Sequence, residues 1–366
     1  MMERSPYERW TTATVLAVAA LTAGAPVVSA GQAPRPDDVR VEVLRDALRE
    51  MPAIVRNVVV AGPNGWEAQR NSSMRAEQTA RETKTLNIGA TGSLELRNIS
   101  GDVTVTAGSG RDVAIEIVRL ARGRTDADAK TGLDRVKVSV TQQGERAQVQ
   151  TEYPEERQAP YSVSVSYAVT APAGTRVTVN SVSGDVVAKG MQGQMSVKLI
   201  SGDIHISSGG RLTEVRTFSG DVTLTDLTSD EAMTLGTVSG DVTLARVKAR
   251  HLDVNVTSGD VAAREVTSES AELRSLSGDI SYTGPLTRGG RYNLQTHSGS
   301  VHLNPTGGVG FEFQGSTFNG SIRPEAGFAM KTTSSSRGQL RGTVGDGGAT
   351  VVATTFSGNV TIGKTQ

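Results

Sequence analysis

The sequence predicts an all-β fold: a single-stack β-solenoid with coils of about 19 residues, preceded by an irregular β region and a short N-terminal helix. Three observations predict it. A Ser-Gly-Asp tripeptide recurs at a nearly constant interval through the second half of the chain. Apolar and polar residues alternate from Thr85 onward, the period of a strand with one buried face. The composition, 4% aromatic with 41 glycines among 366 residues, suits thin strands joined by tight turns rather than a thick globular core.

Residues 1–30 read as an export signal. Arg4 and Arg9 precede an apolar run from Ala13 to Val28, broken by Gly24 and Pro26, and Val28-Ser29-Ala30 offers small residues for cleavage near Ala30. An uncleaved anchor is the competing reading, but the run falls short of the roughly 20 residues that span a bilayer comfortably. The expected location is periplasmic or secreted. No later segment is long and apolar enough to span, so no transmembrane helix is expected after cleavage.

Residues 31–84 are expected to hold one helix and a polar linker. Leu44, Ala47, Leu48 and Met51 fall at helical spacing behind Asp37 and Asp38, either of which can cap. The polar face mixes Arg40, Arg45 and Arg49 with Glu42, Asp46 and Glu50, which makes ion pairs along the helix and no basic membrane-binding face. Asn71 to Lys84 is polar enough for a linker or an exposed helix.

Residues 85–180 form the irregular β portion, with a hairpin across Gln142-Gln143-Gly144 and strands either side of Pro172-Ala173-Gly174. Residues 181–364 form the repeat. The corner Gly-Asp pairs are Gly184 and Asp185, Gly202 and Asp203, Gly220 and Asp221, Gly240 and Asp241, Gly259 and Asp260, and Gly278 and Asp279; Gly101 and Asp102 are an earlier copy. Degenerate copies carry Gly299, Gly320 and Gly358. Successive glycines from Gly184 lie 18, 18, 20, 19, 19, 21, 21 and 38 residues apart, the last read as two periods with one turn worn away.

Each copy sits between apolar alternations, as in Leu235 to Leu244, so the tripeptide reads as a corner. Gly answers to positive φ or to a close approach of the neighbouring coil, and Asp to backbone amides of its own turn. One coil cannot bury its inner face. Stacking at about 4.8 Å gives a continuous narrow core and, for nine coils, a length of about 45 Å. The β portion before residue 181 and the polar terminus near Lys364 are the expected caps.

These features resemble the bacterial adhesin-like domain family of unknown function, related to the toast-rack β-solenoids. The resemblance rests on the early Ser-Gly-Asp within Ile99 to Val105, the long hairpin region, Val163 to Val182 with its Pro-x-Gly turn, and the serial Ser-Gly-Asp-Val corners; it covers residues 85 to 363. It implies an exported or membrane-tethered envelope protein that acts in adhesion, or in envelope-stress sensing beside a membrane partner, and it transfers no catalytic residues. Without a spanning helix, sensing by this chain requires a partner protein.

Composition excludes several chemistries. Lys plus Arg number 38 against 38 Asp plus Glu with no basic stripe, so nucleic acid is not an expected partner. Absence of cysteine removes disulfides, zinc-thiolate sites and thiol nucleophiles. The aspartates one coil apart would stand about 5 Å from each other, near the carboxylate separation of retaining glycosidases. Identical stacked turns produce that spacing unaided, and no pair departs from the repeat, so they read as corner caps. Calcium on Asp203, Asp221, Asp241, Asp260 and Asp279 is the weaker reading, because the period is twice that of nonapeptide rolls and a second acidic ligand per turn is missing.

His205, His251, His297 and His302 lack metal-site spacing and read as surface residues, and Gly345-Asp346-Gly347-Gly348 lacks the Lys-Ser of a phosphate loop and reads as a worn corner. The few aromatics of the repeat, Phe218, Tyr282, Tyr292, Phe311, Phe313, Phe318, Phe328 and Phe356, read mostly as core and end packing. The functional expectation is a non-enzymatic envelope module without cofactor, an adhesin or scaffold whose partner is an envelope protein or a glycan. The alternatives are an envelope-stress accessory, a carbohydrate-active β-helix enzyme, and end-to-end self-association through edge strands.

Overall fold

The computed structural model describes residues 75–154, 159–325 and 328–363. The export segment and the expected N-terminal helix lie outside them. The described chain is a β-solenoid in which each coil contributes one strand before its Ser-Gly-Asp corner and one after it. Strand Ala232–Ser239 pairs in parallel with the second half of Val242–Ser258, Leu235 opposite Val254 and Ser239 opposite Ser258. Beyond the corner Val242 lies opposite Val261. Pairing is parallel because every coil runs in the same sense, and in register because a one-residue slip would carry the apolar set to the outer surface.

Between the two sheets lies the core. Leu235, Val242, Leu244, Leu273, Ile280 and Leu294 are all fully buried, each contributing on the order of 1.5–3 kcal/mol on burial. A second bend closes the coils. Ser208, Asp226, Arg246 and Glu265, on four successive coils, all take φ between 54° and 56°. The residue after three of them, Leu227, Val247 and Val266, is buried. The left-handed residue thus turns the strand and returns an aliphatic side chain to the core.

Both ends of the stack depart from chain order. Strand Ser93–Arg97 lies between Arg146–Glu152 and Arg176–Ser183, and Val103–Gly108 lies between Tyr161–Pro172 and Val186–Lys189. The Ser100 corner therefore belongs to the stack, although it precedes the long hairpin region in sequence. At the far end, strand Ala349–Ser357 is inserted between Arg291–Ser298 and Phe311–Asn319. This corrects the reading of the 38-residue interval. After Gly320 the chain makes an antiparallel hairpin, Lys331–Ser336 with Gln339–Val344, that covers Phe311–Asn319; it then returns to fill the layer beneath. The cap at this end is that hairpin, and the last described strand, Val360–Ile362, is an interior layer.

Gly345 to Gly348 is the turn that sends the chain back, not a worn corner. Asp346 accepts from the Gly310 amide at 3.0 Å and pairs with Arg288, whose guanidinium holds the carboxyl below the ordinary carboxylate range.

Two further expectations change. Ala76–Asn87 is a strand antiparallel to Asp112–Gly123, so the polar stretch up to Lys84 is largely an edge strand and neither linker nor helix. Its alternation is weak because an edge strand over a sheet margin buries little on either face. Within the irregular β portion, Asp126–Arg135 is a helix opened by a capping box: Thr125 accepts from the Asp128 amide and Asp128 from the Thr125 amide, both at 3.2 Å. Gly132 lets it lie close against Tyr161 and Val163.

Candidate functional site

The corners stack into one continuous row. Gly240 shows why the position admits only glycine. Its φ is +142°, and a Cβ there would stand 2.1 Å from the Gly220 carbonyl oxygen of the coil below. At each corner the amides alternate in direction: Gly240 and Val242 donate forward to the Ser258 and Asp260 carbonyls, while the Asp241 amide points back. Its acceptor is the Asp221 carboxylate at 2.8 Å. The same bond repeats from Asp102 to the Asp185 amide, then through Asp203, Asp221, Asp241, Asp260 and Asp279 to the Ser300 amide, at 2.7–3.0 Å.

Every predicted corner aspartate therefore stands in a single file, and each caps the neighbouring coil where its own turn was expected. One carboxylate oxygen of each is engaged in this way. Among the described residues no three acidic or imidazole side chains converge as a metal site, whereas calcium takes six to eight oxygens. Past Asp279 the row changes chemistry in space order Gly299, Gly358, Gly320. Asn359 Oδ1 accepts from the Ser321 amide at 3.0 Å, doing with a neutral amide what the carboxylates do elsewhere.

Inside the corner runs a second, buried ladder. Thr237 Oγ1 donates to the Gly220 carbonyl, Ser275 Oγ to Gly259, Thr296 Oγ1 to Gly278 and Thr355 Oγ1 to Gly299, at 2.8–3.2 Å. At the N-terminal end Asn98 takes this place and donates to the Gly101 and Val165 carbonyls, and Thr151 links it to Tyr167. Burial pushes the Tyr167 hydroxyl up to about 12. These groups fix the corner geometry and satisfy the carbonyls they meet, while at the Ser183 corner the equivalent Ser181 Oγ is buried without a partner among the described residues.

The outward face of the sheet before the corners carries the side chains free to meet a partner. On its central coils Glu214 pairs with Lys198 at 3.1 Å and Arg216 at 2.8 Å, and Arg274 pairs with Glu272 and, at 3.8 Å, with Asp253. Burial raises the Asp253 carboxyl above the ordinary range, and Glu272 adds to the effect against the pull of Arg274. Sequence reasoning missed this network. It was legible, because its members stand at fixed offsets of three and five residues before the corner serine.

The aromatic residues divide. Phe311 and Phe313 are buried, and Tyr282 packs edge-on to Tyr292 with centroids 5.5 Å apart, as core. Phe318 and Phe356, however, are exposed by 80% and 47%, contrary to their expected packing role. They stack on each other, and Phe356 stacks on His297, with both centroid distances 4.8 Å and the rings within 5° of parallel. The rings repeat at the coil spacing because they occupy the same position, one residue before the corner serine or its Asn319 counterpart, on three adjacent coils.

With this geometry in place, known proteins can be set beside the chain. The Toastrack DUF4097 family matches residues 91–363. No curated protein matches. Among solved structures, a "putative lipid binding protein" from Parabacteroides distasonis ATCC 8503 is similar at 13% identity and TM-score 0.42, over 78% of this chain and 97% of that one. A "putative adhesin" from Bacteroides fragilis NCTC 9343 is similar at 12% identity and TM-score 0.38, over 78% and 97%.

Proposed function

The chain belongs to the Toastrack DUF4097 family, and on that premise we propose that it is an exported, non-enzymatic binding module of a bacterial cell envelope, periplasmic or secreted. The observation that carries the reading is the division of labour between the surfaces of the stack. The corner aspartates are engaged in holding coil to coil, while the sheet before the corners presents a continuous outward grid of side chains at fixed spacing. A rigid grid suits recognition of an extended or repeating partner, because the cost of ordering the protein's side of the interface is already met by folding. The first 30 residues support export.

Two measurements test the proposal together. Fractionation of cells expressing the full chain should recover it outside the cytoplasm and shortened by about 30 residues, the length of an ordinary signal segment. The purified protein should be retained on envelope preparations in a saturable manner. Cytoplasmic recovery, or no retention on any envelope fraction, would overturn the reading.

A further inference from the structure

The outward grid changes character along its length. On the central coils the columns three and five residues before the corner hold Lys198, Glu214, Arg216, Asp253, Glu272 and Arg274. On the last three layers the same columns hold no charge. The nearer column reads Gln295, Thr354, Ser316, and the farther one Asn293, Val352, Gln314, in register across the parallel strands. Beside them stands the stacked column of His297, Phe356 and Phe318. Since Phe318 is the outermost ring, its far face is open, in keeping with its 80% exposure.

Next to that open face lies the capping hairpin. The Thr317 amide donates to the Gly338 carbonyl at 2.8 Å, Ser316 lies opposite Gln339 and Gln314 opposite Arg341. Continuing that register sets Arg337 across from Phe318. Residues 331–344 contain Lys331, Arg337 and Arg341 and no carboxylate. None of the three makes an ion pair among the described residues, in contrast to the paired cations of the central coils. An aromatic face without a partner, a floor of amides and hydroxyls interrupted by Val352, and unpaired cations at the margin are thus brought together at one end of the face.

From this juxtaposition we infer that the capped end of the outward face binds an acidic oligosaccharide. The inference rests on the binding role proposed above and names its ligand class. The apolar face of one sugar ring continues the aromatic stack on Phe318, the amide and hydroxyl columns meet sugar hydroxyls, and carboxylate or sulfate groups meet Arg337 and Arg341. Arg337 lies in the hairpin turn and Arg341 on the strand after it, opposite Gln314, so they engage different sugar units and a single sugar does not suffice. Anionic lipid is the poorer fit. Membrane association draws on buried apolar area, and here the exposed large apolar side chains of the patch are Phe318 and Phe356 alone, over a hydrogen-bonding floor.

The test is titration calorimetry of the full chain with hexagalacturonate, a chondroitin sulfate hexamer and muramic-acid-containing glycan fragments. Cellohexaose, phosphatidylcholine–phosphatidylglycerol vesicles and oligothymidine serve as the other arms. At least one acidic oligosaccharide is expected to bind, with cellohexaose and monomeric galacturonate at least tenfold weaker. Phe318→Ala and the double change Arg337→Ala with Arg341→Ala should each weaken binding at least tenfold. All three positions are exposed, so circular dichroism should be unchanged, and Arg81→Ala, on the edge strand Ala76–Asn87 outside the outward grid, should bind as the parent does. Failure of every acidic oligosaccharide, or binding indifferent to both patch variants, overturns the inference, as does patch-dependent binding of vesicles or oligothymidine in their place. Envelope retention that survives both patch variants removes this ligand and leaves the binding role standing; loss of retention by the parent protein removes the role itself.

Discussion

Replacing Asp241 separates two jobs that one side chain performs. Its Oδ1 accepts the Asp260 amide at 2.8 Å, and its charge stands in file with Asp221 and Asp260. Two unit charges 4.8 Å apart in water repel by about 0.9 kcal/mol, and screening at 0.15 M salt leaves about 0.5, so two neighbours together cost about 1 kcal/mol. A hydrogen bond to a charged acceptor exceeds a neutral one by about 1 kcal/mol. The two terms offset.

Asp241→Asn is therefore expected to leave stability within about 0.5 kcal/mol of the parent, because the amide oxygen still accepts, as Asn359 does for Ser321. Asp241→Ala removes charge and acceptor alike and should fall about 1 kcal/mol below the Asn variant, roughly a fivefold loss of protection at the Asp260 amide. Urea melts and hydrogen exchange on a peptide spanning residues 255–265 read both. At 1 M salt, where the screening length is about 3 Å, the parent should gain about 0.6 kcal/mol on the Asn variant. If Asn proved as harmful as Ala, and EDTA destabilised the parent to the same level, the carboxylates would be acting through a bound cation and the capping argument would fail.

Other expectations follow from the same geometry. Gly240→Ala combines a φ of +142° with a Cβ 2.1 Å from the Gly220 oxygen, and should cost about 3 kcal/mol in urea denaturation, from backbone strain and a displaced corner bond. Asp253 has a raised folded-state pKa, so its ionisation opposes folding: the associated stability is present below the ordinary carboxylate pKa and lost as pH rises through the folded value. Asp253→Asn should therefore raise Tm at pH 7, and the gain should shrink as pH falls toward 4. Asp346 behaves in the opposite sense. Its folded-state pKa is lowered by Arg288, so the penalty of Asp346→Asn should be present at neutral pH and disappear as pH falls below the ordinary carboxylate value of about 3.9 in thermal melts.

Much of this molecule is readable coil by coil. The Ser-Gly-Asp corner, the alternating strands beside it and the small residue two places before the serine are local requirements, and most coils restate them, with Leu199 and Val256 departing at the small position. Even the helix Asp126–Arg135 left a signal in Thr125 and Asp128, which an otherwise β-like stretch obscured. Likewise, the charged columns of the outward face follow from offsets that can be counted along the chain.

The ends of the stack are different. A Ser-Gly-Asn corner at Gly358 fits equally well against any coil whose carbonyl row it can meet, so nothing local tells it to lie between Gly299 and Gly320. Tertiary pairing decided that, once the hairpin Lys331–Val344 had occupied the outer edge of Phe311–Asn319 and left the layer beneath for the returning strand. The aromatic column depends on the same insertion. His297, Phe356 and Phe318 become neighbours in an order the chain does not follow, because stacking side chains need adjacent layers, whereas sequence records only the order in which layers were made.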